Sequence, residues 1–305
     1  MKFTRIYRDP VIKKVVWTPG TVCNYRCSYC YPHDHDGKYK WPETYDRLIK
    51  FVNEWRGSDP LALDILGGEP TLWPKFQDFC HDLAKSSSNP TKIMFSSNGS
   101  RSLRYWKEFD APIDSLGLSF HPEHANIEHF LNVVEILHER YQVWIYLMLI
   151  PPYLDVVKKM FEDLKKFKVN ATVNSIVSIS QSHTGVVGNN PEYEKFAAGA
   201  HLRQSEIFDG FMYGTYITNG IQTKRIQTQD LINTKQDAFR GWNCYVGKDT
   251  LNIHANGDVY GSSCSSGPCY GNIYSSEKIF IPDAPFTCPH DFCGCGTDVE
   301  IEKSK

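Results

Sequence analysis

The sequence predicts an α/β fold: a partial (βα)6 barrel of the TIM type, followed by a small cysteine-rich C-terminal domain. Three observations lead there. Strand-like and helix-like segments alternate through residue 180; that rhythm then stops; and nine of the ten cysteines gather near the two ends of the chain. Repeated alternation of this kind implies parallel strands joined by right-handed crossovers. In such barrels the chemistry sits on the loops that follow the strands' C-terminal ends. With 305 residues, 41% hydrophobic and 22% charged, the chain has ample material for one large core.

Taken in order, the strands are expected at Lys13–Thr18, Leu61–Leu66, Lys92–Ser97, Ser115–Phe120, Gln142–Ile150 and Val169–Ile179, each an apolar or alternating run bounded by polar or turn-forming residues. The first long helix, Thr44–Trp55, repeats apolar residues at Tyr45, Leu48, Ile49, Val52 and Trp55. The next carries Phe76, Phe79, Cys80, Leu83 and Ala84 on one face, which makes Cys80 a small core hydrophobe. A short helix follows at Ser102–Phe109, then Ile127–Leu137, then Asp155–Phe167 with Val156, Val157, Met160, Phe161 and Leu164 inward.

These patterns divide the chain into a barrel over residues 1–180, a connector over 181–240 and a cysteine-dense segment over 241–305. The connector is rich in Gly, Asn, Thr and Gln, with one helix expected at Glu192–His201; its position and polarity suit a cover over the substrate. Only about a dozen residues precede the first expected strand, too few for a domain. In the last segment, Thr250–His254, the turn Ala255-Asn256-Gly257-Asp258, and Val259 with Tyr260 read as a hairpin.

A net charge of −2 provides no global field for nucleic acid or an anionic membrane. No stretch approaches the roughly 18 apolar residues of a membrane span, and the N-terminus lacks the apolar core of a signal peptide. A cytoplasmic location follows, and there clustered cysteines signal metal or catalysis rather than disulfides.

The first cluster, Cys23, Cys27 and Cys30, follows the first strand with spacings of three and two residues. Three thiolates are one ligand short of closing a structural zinc site or a fully protein-ligated iron–sulfur cluster, so a coordination position stays open. The second strand runs into Gly67-Gly68-Glu69-Pro70, where glycines let backbone approach a ligand and a carboxylate can meet an ammonium group. The third ends in Ser96-Ser97-Asn98-Gly99 and the fourth in Ser119-Phe120-His121.

With Tyr29 before its last cysteine, this combination resembles the radical S-adenosylmethionine (SAM) enzymes over about the first 120 residues. The resemblance implies a 4Fe-4S cluster on Cys23, Cys27 and Cys30, with SAM completing the fourth iron. It implies that Gly67, Gly68 and Glu69 hold the methionine amino group, that Tyr29 borders the adenine, and that Ser97 and Asn98 face the ribose, Ser119 being a weaker match. It further implies reductive cleavage of SAM to a 5'-deoxyadenosyl radical that abstracts a substrate hydrogen, and an electron donor such as flavodoxin or ferredoxin. The competing reading is a zinc site closed by His33 or His35, although those histidines with Asp34 and Asp36 read as a solvated loop.

Six cysteines crowd the end: Cys244, Cys264, Cys269, Cys288, Cys293 and Cys295. Their arrangement around the hairpin resembles the SPASM and twitch auxiliary-cluster domains of some radical SAM enzymes. The resemblance implies a second 4Fe-4S cluster with ligands drawn from Cys264, Cys293 and Cys295, then Cys244 and Cys288, and Cys269 last. Zinc held by the same thiolates is the alternative. The family modifies peptides, enzyme side chains or small molecules, so the expected substrate is a peptide or small molecule and the expected reaction oxidative. His121, Tyr213 and Tyr216 are candidate acid–base or radical-relay groups. Outside the family reading stand an iron–sulfur electron carrier and a zinc-stabilised binding module.

Overall fold

A computed structural model gives the architecture and describes residues 2–31, 35–150, 153–176, 192, 195–196, 200–203, 214–226, 228–293 and 296–305. Continuous buried runs, in the first two, and alternating runs, such as the fourth and fifth, produce six parallel strands: β2 (Lys13–Trp17), β3 (Leu61–Ile65), β4 (Thr91–Ser97), β5 (Ser115–Phe120), β6 (Gln142–Leu149) and β7 (Asn170–Ser175). They lie in sequence order, each parallel to the next. The crossovers contain α1 (Asp46–Arg56), α2 (Phe76–Lys85), α3 (Leu103–Glu108), α4 (Ile127–Leu137) and α5 (Leu154–Leu164). Ser102 caps α3 and Asn126 caps α4 through side-chain oxygens, which supply partners to otherwise orphaned N–H groups. This is a partial TIM-type barrel.

One face of every strand packs against the helices. Trp17, Leu63, Ile65, Phe95, Leu118 and Ile145 meet Val52, Phe79, Leu83, Phe130 and Met160 in a continuous core, which also swallows Cys80. Side chains on the alternate face point into the barrel lumen.

Most of the remaining strands lie where local pattern alone does not put them. The chain's start forms β1 (Arg5–Asp9), so the expected lead-in to the first strand is itself a strand. Within the connector, β9 (Gly214–Thr218) and β10 (Thr223–Ile226) form a hairpin, and β9 pairs antiparallel with β1. With β11 (Asn243–Cys244), β15 (Phe286–Thr287) and β16 (Lys303–Ser304) they build a second, antiparallel sheet. The predicted hairpin forms as β12 (Thr250–Ile253) and β13 (Asp258–Tyr260), but β12 also joins β2 in parallel, and β14 (Gly271–Asn272) follows β13.

The expected helix ending at His201 instead meets a strand, β8 (His201–Arg203), antiparallel to β7; of that helix, residues 192, 195 and 196 are described and helical. The sixth expected strand stops at Ser175, and its end at 177–179 lies outside the described residues. Two short helices, α6 (Thr228–Asn233) and α7 (Gly296–Val299), complete the chain. Buried ions tie the sheets together: Arg8 lies 2.6 Å from Asp249 and Lys14 lies 2.7 Å from Glu300. Removing one partner of such a buried pair leaves the other charge uncompensated and is strongly destabilising. Among the described residues no helix is long and apolar enough to cross a membrane.

Candidate active site

The loop after β2 carries Cys23, Cys27 and Cys30 and folds onto the turn after β3. The Gly68 N–H donates to the Gly20 carbonyl at 3.2 Å and the Glu69 N–H to the Val22 carbonyl at 2.9 Å. Both glycines are required by this approach. A Cβ on Gly68 would lie 2.5 Å from the Val22 carbonyl carbon and closer to its oxygen; one on Gly67, whose φ is +122°, would lie 2.6 Å from the Gly20 oxygen.

A cavity of about 200 Å³ opens there, at the C-terminal ends of the strands. The three cysteines form one side. Gly67, Gly68, Ser96, Ser97, Asn98 and Ser119 form the floor and far wall, with Tyr25, His35 and His121 at the rest. Cys23, Cys27, Cys30, Gly67, Gly68, Ser97, Asn98 and Ser119, all singled out from the sequence, thus share one cavity.

Two expected contacts stand behind its wall. Glu69 is fully buried, and its carboxylate is already engaged: Oε1 accepts from Thr71 N, Thr71 Oγ1 and Ser97 Oγ at 3.2, 2.6 and 2.8 Å, and Oε2 from Asn98 N at 2.6 Å. Burial raises its pKa and these four donors oppose the rise. Through these bonds it braces the glycine turn. Tyr29 stacks on His121, with its hydroxyl 2.7 Å from Nδ1, and so backs the cavity instead of lining it. Burial brings His121 down to about 4 and raises Tyr29, whose hydroxyl also hydrogen-bonds Cys27. Tyr25, stacked on His124, takes the wall position that local sequence gave no reason to assign. His35, expected in a solvated loop, lines the cavity with its Nδ1 buried; His33 and Asp34 lie outside the described residues.

The donor set fits a cation. Burial raises Cys23 and pushes Cys27 up to about 12, so these thiols lose their protons when a metal compensates the charge. Tyr25 N–H points at Cys23 Sγ at 3.4 Å, and Asn98 Nδ2 at 3.9 Å, as donors to a thiolate. Cys27 also lies with Glu123 and His124 in a group whose ligand atoms fall within 4.8 Å of one another. Glu123 is spent on Ser28, accepting its N–H at 2.7 Å and its hydroxyl at 2.5 Å.

A second cysteine group forms around the antiparallel sheet. Cys244, Cys288 and Cys293 share a core with Trp242, Val299 and Ile301, and the Cys288 N–H donates to the Trp242 carbonyl at 2.9 Å. The Cys264 N–H is held at 3.0 Å by Asp298. Burial pushes Cys244 up to about 11 and Cys293 to about 12; Lys303 opposes both shifts, while Asp298, Cys264 and the neighbouring cysteines add to them. Cys244, Cys264, Cys288 and Cys293 therefore lie within electrostatic reach around Lys303 and Asp298. Cys295 is outside the described residues. Cys269 stands apart, exposed and donating to the Gly271 carbonyl at 3.3 Å. A tetrahedral zinc ion would hold its sulfurs about 3.8 Å apart, as its roughly 2.3 Å bonds require. Among the described residues, no three of these cysteines come within 4.8 Å of one another.

Comparisons with known proteins agree with this site. The chain is 29% identical over 134 residues to a GTP 3',8-cyclase of Pasteurella multocida (strain Pm70), covering 40% of this chain and 39% of that one. It is 32% identical over 98 residues to an S-adenosylmethionine-dependent nucleotide dehydratase of Thermoplasmatales archaeon (strain ISO4-H5), covering 32% and 33%. It thus spans between a third and two fifths of the length of these curated relatives. Among solved structures, Streptococcus suis SuiB bound to S-adenosylmethionine superposes with a TM-score of 0.57 at 12% identity, over 87% of this chain and 64% of that one. Native anSMEcpe with bound AdoMet and Cp18Cys peptide gives 0.56 at 17% identity, over 85% and 77%. At these identities the likeness is one of fold. The family description "Radical SAM superfamily" matches residues 17–177, just over half the chain and the same stretch that builds the barrel and its cysteine cavity, so the chain belongs to the radical SAM superfamily.

Proposed function

We propose that the chain is an enzyme that holds a 4Fe-4S cluster on Cys23, Cys27 and Cys30 and binds SAM against Gly67, Gly68, Ser97, Asn98 and Ser119, to abstract a hydrogen from a peptide or small molecule in an oxidative modification. The observation that carries this is the meeting of three thiols and the glycine turn in one cavity at the barrel mouth. When bound, the reduced cluster and SAM would supply the carbon–sulfur cleavage and the hydrogen-abstracting power. The protein's part is placement. Gly67 and Gly68 offer backbone at close range, Ser97 and Asn98 offer polar contacts, and Glu69 keeps both loops in register. A peptide substrate is supported by SuiB bound to precursor peptide SuiA, a neighbour with a TM-score of 0.56 at 11% identity.

The same reading includes an auxiliary 4Fe-4S cluster at Cys244, Cys264, Cys288 and Cys293, with Cys295 as the remaining candidate. Four thiols around one cation and one carboxylate support it. Electrons would come from a separate donor of the flavodoxin or ferredoxin type.

The test is iron and sulfide content after anaerobic reconstitution, with 5'-deoxyadenosine measured beside it. About eight irons per chain, falling to about four in the Cys23→Ala, Cys27→Ala, Cys30→Ala variant with loss of 5'-deoxyadenosine, is the expected result. Zinc in place of iron, or iron without SAM cleavage under strong reductant, would overturn it.

A further inference from the structure

Beneath the cofactor cavity the barrel lumen has its own chemistry. On β3 the helix-facing core takes Leu61, Leu63 and Ile65, so Asp64 points inward. Register sets it beside Val16 of β2 and Met94 of β4, and it precedes Gly67 by three residues. On the same face Ile12 and Ala62 pack together, with Met94 against them. Tyr146 of β6 reaches in from the opposite wall. Its ring covers Gly117, where a Cβ would lie 3.0 Å from the ring and 3.1 Å from Ser96 Oγ. Ser96 also lines the cofactor cavity, so the lumen and the cavity share a wall.

The charges around this lumen are unequal. Lys14 Nζ lies 2.7 Å from Glu300; Arg8 lies 2.6 Å from Asp249 and 3.8 Å from Glu300. Both cations thus contact carboxylates other than Asp64. Asp64 is the third carboxylate, and the fields of Lys14 and Glu300 oppose each other at its position. Among the described residues Asp64 accepts no hydrogen bond and forms no ion pair, yet part of its surface remains accessible. Burial raises its pKa, and its charge adds to the burial that raises the Tyr146 hydroxyl. A carboxylate largely removed from water, with no hydrogen-bond donor or cation in contact, is costly, and neither the core nor the sheet needs one at this place.

We infer that Asp64 is the specificity-determining residue of the substrate pocket: it anchors a cationic nitrogen of the substrate, an amine or guanidinium, in the lumen with Tyr146 opposite. The inference rests on the reading that the cavity above holds SAM. A charge-assisted hydrogen bond to Asp64 is short and directional. It would fix the cationic end at depth and leave the rest of the substrate extending toward the cavity. Substrates with an anionic group at that end are rejected by the same charge.

The experiment uses the reconstituted full chain with SAM and three size-matched probes: N-acetyl-lysine methylamide, N-acetyl-norleucine methylamide and N-acetyl-glutamate methylamide. Binding is measured by calorimetry for wild type, Asp64→Asn and Asp64→Glu. The lysine probe is expected to bind wild type at least about tenfold more tightly than either other probe. Asp64→Asn should lose that preference, and Asp64→Glu, which keeps the charge, should retain it. Equal binding of the three probes to wild type, or undiminished lysine preference in Asp64→Asn, overturns the inference. Lysine preference in a wild type that binds no SAM would overturn the cofactor reading alone.

Discussion

The Ser97 hydroxyl donates to Glu69 Oε1 across 2.8 Å, and through that bond the end of β4 is fixed to the glycine turn after β3. The same carboxylate accepts Asn98 N–H and both Thr71 donors, so all four of its partners are donors. A carboxamide cannot satisfy them. Glu69→Gln is expected to turn its NH2 toward one of these groups, leaving buried donors unpaired at a cost of about 1–3 kcal/mol. Denaturant midpoints would measure that loss, and calorimetry should show weaker SAM binding; unchanged values in both would remove Glu69 as the brace.

Gly68 is held against the Val22 carbonyl by the fold of the cysteine loop. In Gly68→Ala the new methyl meets backbone, which cannot step aside as a flexible side chain can. The turn and the loop separate, and the expected outcome is loss of about four irons per chain, with the irons proposed for the C-terminal cysteines retained. Normal iron content together with normal SAM affinity would contradict the close approach.

The C-terminal cysteines are separable by place. Cys244, Cys288 and Cys293 share one core, whereas Cys269 is exposed and apart, and Cys80 is buried in the barrel. Replacing the first three together by serine should remove about four irons. Cys269→Ser and Cys80→Ala should remove none, the latter only lowering stability through the space it leaves. Iron and sulfide analysis of the purified variants distinguishes these results.

Glu302 links β1 to the end of the chain. Arg5 lies 2.6 Å from one of its oxygens and Lys248 2.7 Å from the other. Burial raises its pKa, but hydrogen bonds from Lys248 and Arg5 outweigh burial and leave it depressed. A depressed carboxylate stabilises the fold above its unfolded pKa of about 4.3 and loses that contribution as pH falls through the folded value. Thermal melts from pH 6 downward should therefore show wild type losing more stability below about pH 4 than Glu302→Gln. Parallel curves would show that the two cations contribute nothing through this group.

Much of this molecule is readable along the chain because its determinants are local. The alternation of β6, the apolar faces of α1 and α2, and the Asn256-Gly257 turn each act within a few residues, where side-chain periodicity and backbone freedom suffice. Cys23, Cys27, Cys30 and the Gly67-Gly68 turn are short motifs at strand ends, and barrel geometry brings strand ends together. What the tertiary structure alone decided depends on distant partners. β1 becomes a strand by pairing with β9 and β16, and the hairpin strand β12 joins β2 in parallel; neither pairing is announced by local residues. The bracing role of Glu69 exists because Ser97 and Asn98 reach it from another strand. The standing of Asp64 was set the same way: Lys14, the cation nearest to it in sequence among those in the buried network, is claimed by Glu300 from 286 residues away. Local sequence determines which elements form and which groups they carry; which charges are left for a ligand is settled only when distant strands meet.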